Sequence, residues 1–170
     1  VLRQWALGLL LDLDGYRYVM DEHRITDAFS LTLLGMDDVI EMGEDSLKDR
    51  LKVLWQQRET LKAMAPRIPR TSSLGKNIAW LAKTLGLNKV ERDIVAFLAM
   101  AQQNMGLERL LEKFGALRIS EVHVVLATVL GHPTGEIAKA FHHTARLIRS
   151  NLVWVQGAET WNWSQKLGLL

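Results

Sequence analysis

His142 and His143 are adjacent, with His123 and His132 upstream, and this is the nearest the sequence comes to a metal-ligating pattern. Neighbouring residues on a helix point about 100° apart, so the pair does not easily share one ion. Neither histidine has a partner at the i+4 spacing of a helical metal pair, and both read as surface or helix-end residues. The paired acids Asp37-Asp38 and Glu44-Asp45 could suggest a carboxylate dyad, but carboxylates at a helix start complement its dipole, and that reading suffices. Leu74-Gly75-Lys76-Asn77 matches the tail of a phosphate loop. Such a loop also needs an earlier glycine, a preceding strand and a Ser or Thr after the lysine to hold magnesium, and Asn77 stands in that place. No serine lies in a Gly-x-Ser-x-Gly elbow. The absence of cysteine removes thiolate zinc sites, disulfides and cysteine nucleophiles together. The sequence therefore predicts a chain that is not an enzyme and has no catalytic residue, metal site or cofactor of its own.

One pattern carries a mechanism of another kind. Residues 123–142 have helix-turn-helix spacing: Leu126-Ala127, then Leu130-Gly131, then Ile137. Ala127 is small where a second helix crosses, Gly131 can take the left-handed turn, and Leu126, Leu130 and Ile137 form the core between the two helices. The second helix presents Thr134, Gly135, Glu136, Ala138, Lys139, His142 and His143, with Arg146 and Arg149 just beyond. Only Lys139 on that helix is firmly basic, Glu136 repels phosphate, and no Arg, Asn or Gln occupies a base-reading position. Arg146 and Arg149 could still touch a nucleic-acid backbone. A weaker echo, Leu81-Ala82, Leu85-Gly86 and Glu91, is either a degenerate duplication or a second helix pair that solves the same turn problem.

The elements that must hold this pattern are mostly helical. Leu2, Trp5, Ala6, Leu9, Leu10 and Leu13 recur at the spacing of one helical face. That first helix ends at Asp14-Gly15, with the glycine as left-handed residue. An irregular stretch over 16–25 precedes a helix capped by Thr26 or Asp27 and closed by Gly35. A longer helix is expected over 45–65 and stops at Pro66. Residues 66–73 hold two prolines, two arginines and no acid, and read as an extended, exposed linker. Ser72 or Ser73 then caps a helix with Leu74, Ile78, Leu81, Ala82 and Leu85 inward. Asn88 with Glu91 forms a capping box for the next. A short helix over 107–114 ends at Gly115, a further one opens at Ser120-Glu121, and Thr134 caps the second helix of the motif, with residues 145–150 extending or following it. The runs 151–157 and 159–164 are β-branched and aromatic, with Trp161 and Trp163 at strand period, so a hairpin is expected over 151–164. Trp5, Trp55 and Trp80 are expected in the core. Trp154, Trp161 and Trp163 crowd the hairpin, either covering the neighbouring helices or leaving one exposed as an anchor for a protein partner.

Composition sets the class. At 170 residues, 48% hydrophobic and 24% charged, the chain has the mix of a globular protein of one or two domains. Its most apolar run, 6–13, meets Asp12 and Asp14 too soon for a membrane span of ~20 residues, and it lacks the flanks of a signal peptide. A cytoplasmic protein with no membrane partner is expected. The net charge of +2 conceals an asymmetry. Residues 1–61 carry 7 Lys/Arg and 12 Asp/Glu, whereas residues 62–170 carry 14 and 7. Two solvated surfaces, two facing lobes, or one lobe with an anionic partner all fit that division. Two regions follow: an acidic helical region over 1–66, and a basic helical region over 67–170 that ends in a winged-helix-like unit. The first residue is Val rather than Met and the last four are apolar, so a piece of a protein continuing beyond Leu170 is expected.

Asn-Ile-Ala-Trp-Leu-Ala-Lys-Thr-Leu-Gly-Leu-Asn-Lys-Val-Glu-Arg-Asp-Ile over 77–94, Val-Leu-Ala-Thr-Val-Leu-Gly over 125–131 and Leu-Ile-Arg-Ser-Asn-Leu over 147–152 carry a resemblance, joined by Leu-Leu-Leu-Asp-Leu-Asp-Gly-Tyr-Arg over 9–17. Together they resemble the region preceding the ATPase module in bacterial AAA-family ATPases. There a Leu-Gly-Leu…Glu-Arg helix pair is followed by a Leu-Ala-x-x-Leu-Gly pair and an Arg-Ser-x-Leu exit. The resemblance touches about half the chain. It implies that the phosphate loop, magnesium-binding acids and arginine finger lie beyond Leu170, and that this region recognises substrates or adaptors or regulates the ring. The expected fold is mainly α, a helical bundle followed by the winged-helix-like unit and its small C-terminal hairpin. The expected partner is a protein or the downstream ATPase module, with no small-molecule substrate. A DNA-binding winged-helix regulator is the alternative. The candidate interaction surface is Thr134, Lys139, His142, Arg146, Arg149, Trp154, Trp161 and Trp163.

Overall fold

The computed structural model describes residues 1–43, 46–64, 67–156, 163 and 167–169. It is mainly helical, with one small antiparallel sheet of two strands. Two compact units divide the chain: Val1–Arg67 with Asn104–Phe114, and Ile68–Gln103 with Gly115–Leu170. The basic region is therefore interrupted, because an eleven-residue excursion belongs to the first unit.

The first unit comprises α1 (Leu2–Asp12), a 3-10 turn (Gly15–Tyr18), α2 (Ala28–Leu33), α3 (Asp37–Ile40), α4 (Leu47–Met64) and α7 (Met105–Glu112). α1 is its centre and packs against α4, α7 and the 3-10 turn. Trp5, Ala6, Leu7, Leu9, Leu10 and Leu11 are all buried, so this helix is covered on every side over that stretch and not along one stripe. Arg3 pairs with Asp38 at 3.0 Å and Arg58 pairs with Asp12, tying both ends of α1 to its neighbours. The left-handed residue after α1 is Asp14 itself, at φ 55°, and not Gly15.

α7 joins this unit because of its apolar face and one glycine. Leu107, Leu110 and Leu111 are fully buried, and Asn104 caps the helix by accepting the Leu107 N–H at 2.9 Å. Gly106 meets α2 so closely that a Cβ there would fall 2.6 Å from the Leu33 Cβ. The expectation of a cap at Thr26 or Asp27 resolves to Asp27, which accepts the Ser30 N–H at 3.0 Å. A short helix the sequence reading did not separate, α3, uses Asp37 and Asp38 in its first turn, the dipole-complementing place. Arg50 on α4 is completely buried and donates from Nη2 to the Gly43 carbonyl at 2.5 Å.

The second unit comprises α5 (Ser73–Leu85), α6 (Lys89–Gln103), α8 (Ile119–Leu130), α9 (Thr134–Ala140), α10 (Arg146–Arg149), β1 (Val153–Val155) and β2 (Leu167–Leu169). α6 is its axis: Ile94, Val95, Phe97, Leu98 and Ala101 are buried, and α5, α8, α9 and β2 pack on it. The capping box at its start is complete. The Asn88 N–H donates to the Glu91 carboxylate and the Glu91 N–H donates to Asn88 Oδ1, each at 2.9 Å. Part of the 66–73 linker is folded back, with a turn at residues 70 and 71. Ser72 Oγ donates to the Pro69 carbonyl at 2.7 Å and accepts the Gly75 N–H at 3.0 Å, which folds residues 69–72 into a turn against the start of α5.

The expected second strand at 159–164 requires correction. β1 pairs with Leu167–Leu169, in the register Val153↔Leu169, Trp154↔Gly168 and Val155↔Leu167. Of 159–164 only Trp163 lies within the described residues, and its backbone is helical. The two-residue spacing of Trp161 and Trp163 is thus not a strand signal at Trp163, because that ring buries edge-on against Phe97 of α6, centroids 5.9 Å apart. Trp161 lies outside the described residues. No helix among the described residues is long and apolar enough to cross a membrane.

Candidate docking surface

The helix-turn-helix spacing becomes an α8–turn–α9 pair. Leu126, Ala127 and Ile137 are buried, and Leu130 is half-buried at the end of α8. Gly131 takes φ 69°, and both its own N–H and that of His132 donate to the Ala127 carbonyl, at 2.9 and 3.1 Å. That left-handed closure is what only glycine adopts without strain. The turn is fixed from outside by His132, whose Nε2 lies 3.0 Å from the Asp93 carboxylate of α6. Two caps differ from expectation. Arg118 precedes α8, with its N–H donating to Glu121 at 2.6 Å, and Pro133 precedes α9, so Thr134 is the first helical residue and makes no cap bond with its side chain.

The outer side of α9 and its continuation presents most of the residues expected there. Thr134, Gly135, Glu136, Lys139, His142 and His143 are exposed, as are Arg146 and Arg149. Their chemistry is mixed in sign. Arg146 is also occupied, since its guanidinium donates to the Gly86 carbonyl at the C-terminus of α5, where a cation complements the helix dipole. His142 turns back on its own loop, with Nδ1 2.8 Å from the Thr144 hydroxyl and its ring 4.1 Å from that of His143. The His142 and His143 rings thus lie against each other, and no group of three metal-ligating side chains occurs among the described residues. His123 stacks on Phe141 at 5.3 Å, and burial pushes its pKa down.

The tryptophans separate clearly. Trp154 is half-buried, its indole lying over Gly168, where a Cβ would fall 2.7 Å from Nε1. Trp163 is only 3% exposed and is a core residue, not part of a surface. Trp5 is buried as expected, but Trp55 and Trp80 are 43% and 64% exposed, against the expectation of core positions. For Trp80 the reason lies in its angle. At about 100° per residue it sits about 200° from Ile78, the buried residue of the α5 stripe, and so faces the opposite way. That signal was available in the spacing. Trp55 stands beside a shallow groove of about 830 Å³ lined by His23, Leu51 and Lys52 among others, with the Arg58 guanidinium 5.1 Å from its ring centroid.

The sequence reading also missed a buried polar cluster in the first unit. Asp27 accepts from the Ser30 hydroxyl at 2.9 Å and pairs with Lys113 at 3.0 Å and Arg109 at 3.5 Å. Burial alone pushes its carboxyl up. The Ser30 N–H, Lys113 and the Ser30 hydroxyl outweigh burial and bring the pKa down to about 2. This cluster fastens α2 to α7 and is structural. Comparisons with known proteins add nothing: no family model, curated protein or solved structure matches the chain.

Proposed function

We propose that the chain is a non-catalytic recognition region of an AAA-type ATPase that docks a protein, either a substrate or adaptor or the ATPase module itself. The supporting observation is the exposed side of α9 with its continuation. It places Glu136 beside Lys139 and histidines on a pair of helices locked by Gly131 and by the His132–Asp93 contact. A rigid face of mixed charge suits a protein partner, whereas a polyanion wants one sign. The leucine-rich motifs over 77–94, 125–131 and 147–152 supply the link to the ATPase family. In this reading α8, α9 and the strands form a winged-helix-like unit with β1 and β2 as a short flap, and α1 to α4 with α7 form a small bundle.

The gene sequence beyond codon 170 tests the family assignment: a Gly-x-x-x-x-Gly-Lys-Ser/Thr loop is expected there, and a full-length protein without one overturns it. The role is tested by titrating the purified chain with a random-sequence DNA duplex at two salt concentrations. Weak binding, unchanged in Lys139→Glu and Arg149→Glu, supports docking of protein. Tight, steeply salt-dependent binding lost in those variants favours the DNA-binding regulator instead.

A further inference from the structure

Between residues 68 and 90 the chain carries Arg70, Lys76, Lys83 and Lys89 and not one carboxylate. None of these four cations forms an ion pair among the described residues, although Arg92 and His132 in the same unit both pair with Asp93. The positive charge of this segment is thus left unneutralised. Three residues of α5 share one line. Lys76, Trp80 and Lys83 stand at i, i+4 and i+7, all exposed, and Trp80 shows 64% of its surface to solvent. The same helix buries Ile78 on its other side, so the line is an outward face of an anchored helix. Arg146 places a further guanidinium on the Gly86 carbonyl where α5 ends.

We infer that this face of α5 is a docking site for an acidic protein segment, with Trp80 as the apolar anchor and Lys76 and Lys83 as the flanking charges. The inference rests on the reading of the chain as a protein-docking region and names the surface and the chemistry of its partner. Seven residues of helix rise about 10.5 Å, so the lysines are spaced to meet two carboxylates seven apart on a partner helix, with an apolar residue of that helix between them over the indole. Exposed tryptophan flanked by charge is the side chain most often found to carry the energy of such contacts. Single-stranded nucleic acid fits the face less well, because successive bases want successive aromatic platforms and α5 offers one. An anionic membrane surface wants a broader apolar side than a single ring provides.

The test uses the whole chain and four probes: a labelled helical peptide carrying Glu at i and i+7 with Leu between, the same peptide with Lys for Glu, an oligothymidine, and vesicles containing phosphatidylserine. Anisotropy, co-sedimentation and tryptophan fluorescence report binding. The acidic peptide is expected to bind in a salt-sensitive way. Trp80→Ala should weaken it about tenfold or more, Lys76→Glu with Lys83→Glu should abolish it, and Trp80→Phe should retain most of it. All three positions are exposed, so unchanged circular dichroism and Tm are expected for each variant. Absent binding, indifference to Trp80→Ala, or preference for oligothymidine or vesicles overturns the inference. If Lys139→Glu weakens the peptide while the α5 variants do not, the docking role survives on α9 and only the α5 assignment falls.

Discussion

Replacing Asp27 by Asn removes one negative charge from the cluster that joins α2 to α7. Its side chain is 7% exposed, while Arg109 and Lys113 are 45% and 36% exposed, so solvent screens the cationic side of each pair. The carboxyl titrates at about 2 in the folded chain, against about 3.9 in an unfolded one. A depressed carboxyl contributes stability that is complete above the unfolded pKa and lost as pH falls through the folded one. A difference of nearly two units corresponds to about 2–3 kcal/mol at pH 7. At pH 3, midway through that window, roughly half remains. Asn can still accept the Ser30 N–H as a neutral group, so the cap geometry survives and the difference reports the charge that the Ser30 N–H, Lys113 and the Ser30 hydroxyl favour. The assay is urea unfolding read by NMR amide signals of α2, which follow the first unit alone, in wild type and Asp27→Asn at pH 7, 4 and 3. The expected gap is about 2–3 kcal/mol at pH 7, nearly the same at pH 4, and about half at pH 3. A gap below about 0.5 kcal/mol at neutral pH, in the range of an ordinary surface change, refutes the reasoning. So does a gap that does not narrow with acid.

Other outcomes are equally definite. Trp163→Ala should cost about 3–5 kcal/mol in urea unfolding followed by signals of α6, because it empties the ring's place against Phe97. Gly75→Ala should lower Tm by the equivalent of about 1–3 kcal/mol, since its Cβ would fall 2.1 Å from the Pro69 carbonyl oxygen and force backbone apart. His123→Phe should keep the stack on Phe141 and remove a dependence on pH. Burial lowers the histidine's pKa, so wild-type stability falls as pH drops through the region where the unfolded imidazole gains its proton, and the variant's should not. Finally, residues 1–67 expressed alone should show no cooperative unfolding by circular dichroism, because they lack Leu107, Leu110, Leu111 and both cations on Asp27.

Local signals in the sequence were legible wherever a side chain solves a backbone problem within a few residues. Ser72, Asn88 with Glu91, and Gly131 all act at the positions their types announce. Each satisfies an orphan helix-end group or a left-handed turn, and needs no distant partner. What stayed illegible depends on residues far apart. The pairing of Val153–Val155 with Leu167–Leu169 is one case, and the packing of Trp163, whose backbone is helical, on Phe97 is another. The return of α7 to the first unit turns on the fit of Gly106 against Leu33, some seventy residues earlier in the chain. Asp27 was legible as a cap and illegible as an ion-pair centre for the same reason, since Lys113 and Arg109 reach it only through that return.

The two units also spend their charges differently, and this bears on the surface. In the first unit Arg3, Arg58, Arg109 and Lys113 find carboxylates, joining α1 to α3 and α4 and the cap of α2 to α7 and its end, while Lys48 and Lys52 are in no ion pair among the described residues. In the second unit Arg70, Lys76, Lys83, Lys89, Lys139 and Arg149 are in no ion pair among the described residues, while Glu91 is buried in a cap and Asp93 is taken by His132. Glu91 and Asp93 go to structural contacts, so the exposed lysines of α5 present a local positive field, while Glu136 offsets Lys139 on α9. Such a field does little for folding and much for encounter with an anionic partner. A face that also leaves a tryptophan in water forgoes roughly 2 kcal/mol of burial, which the proposed acidic partner would recover on contact.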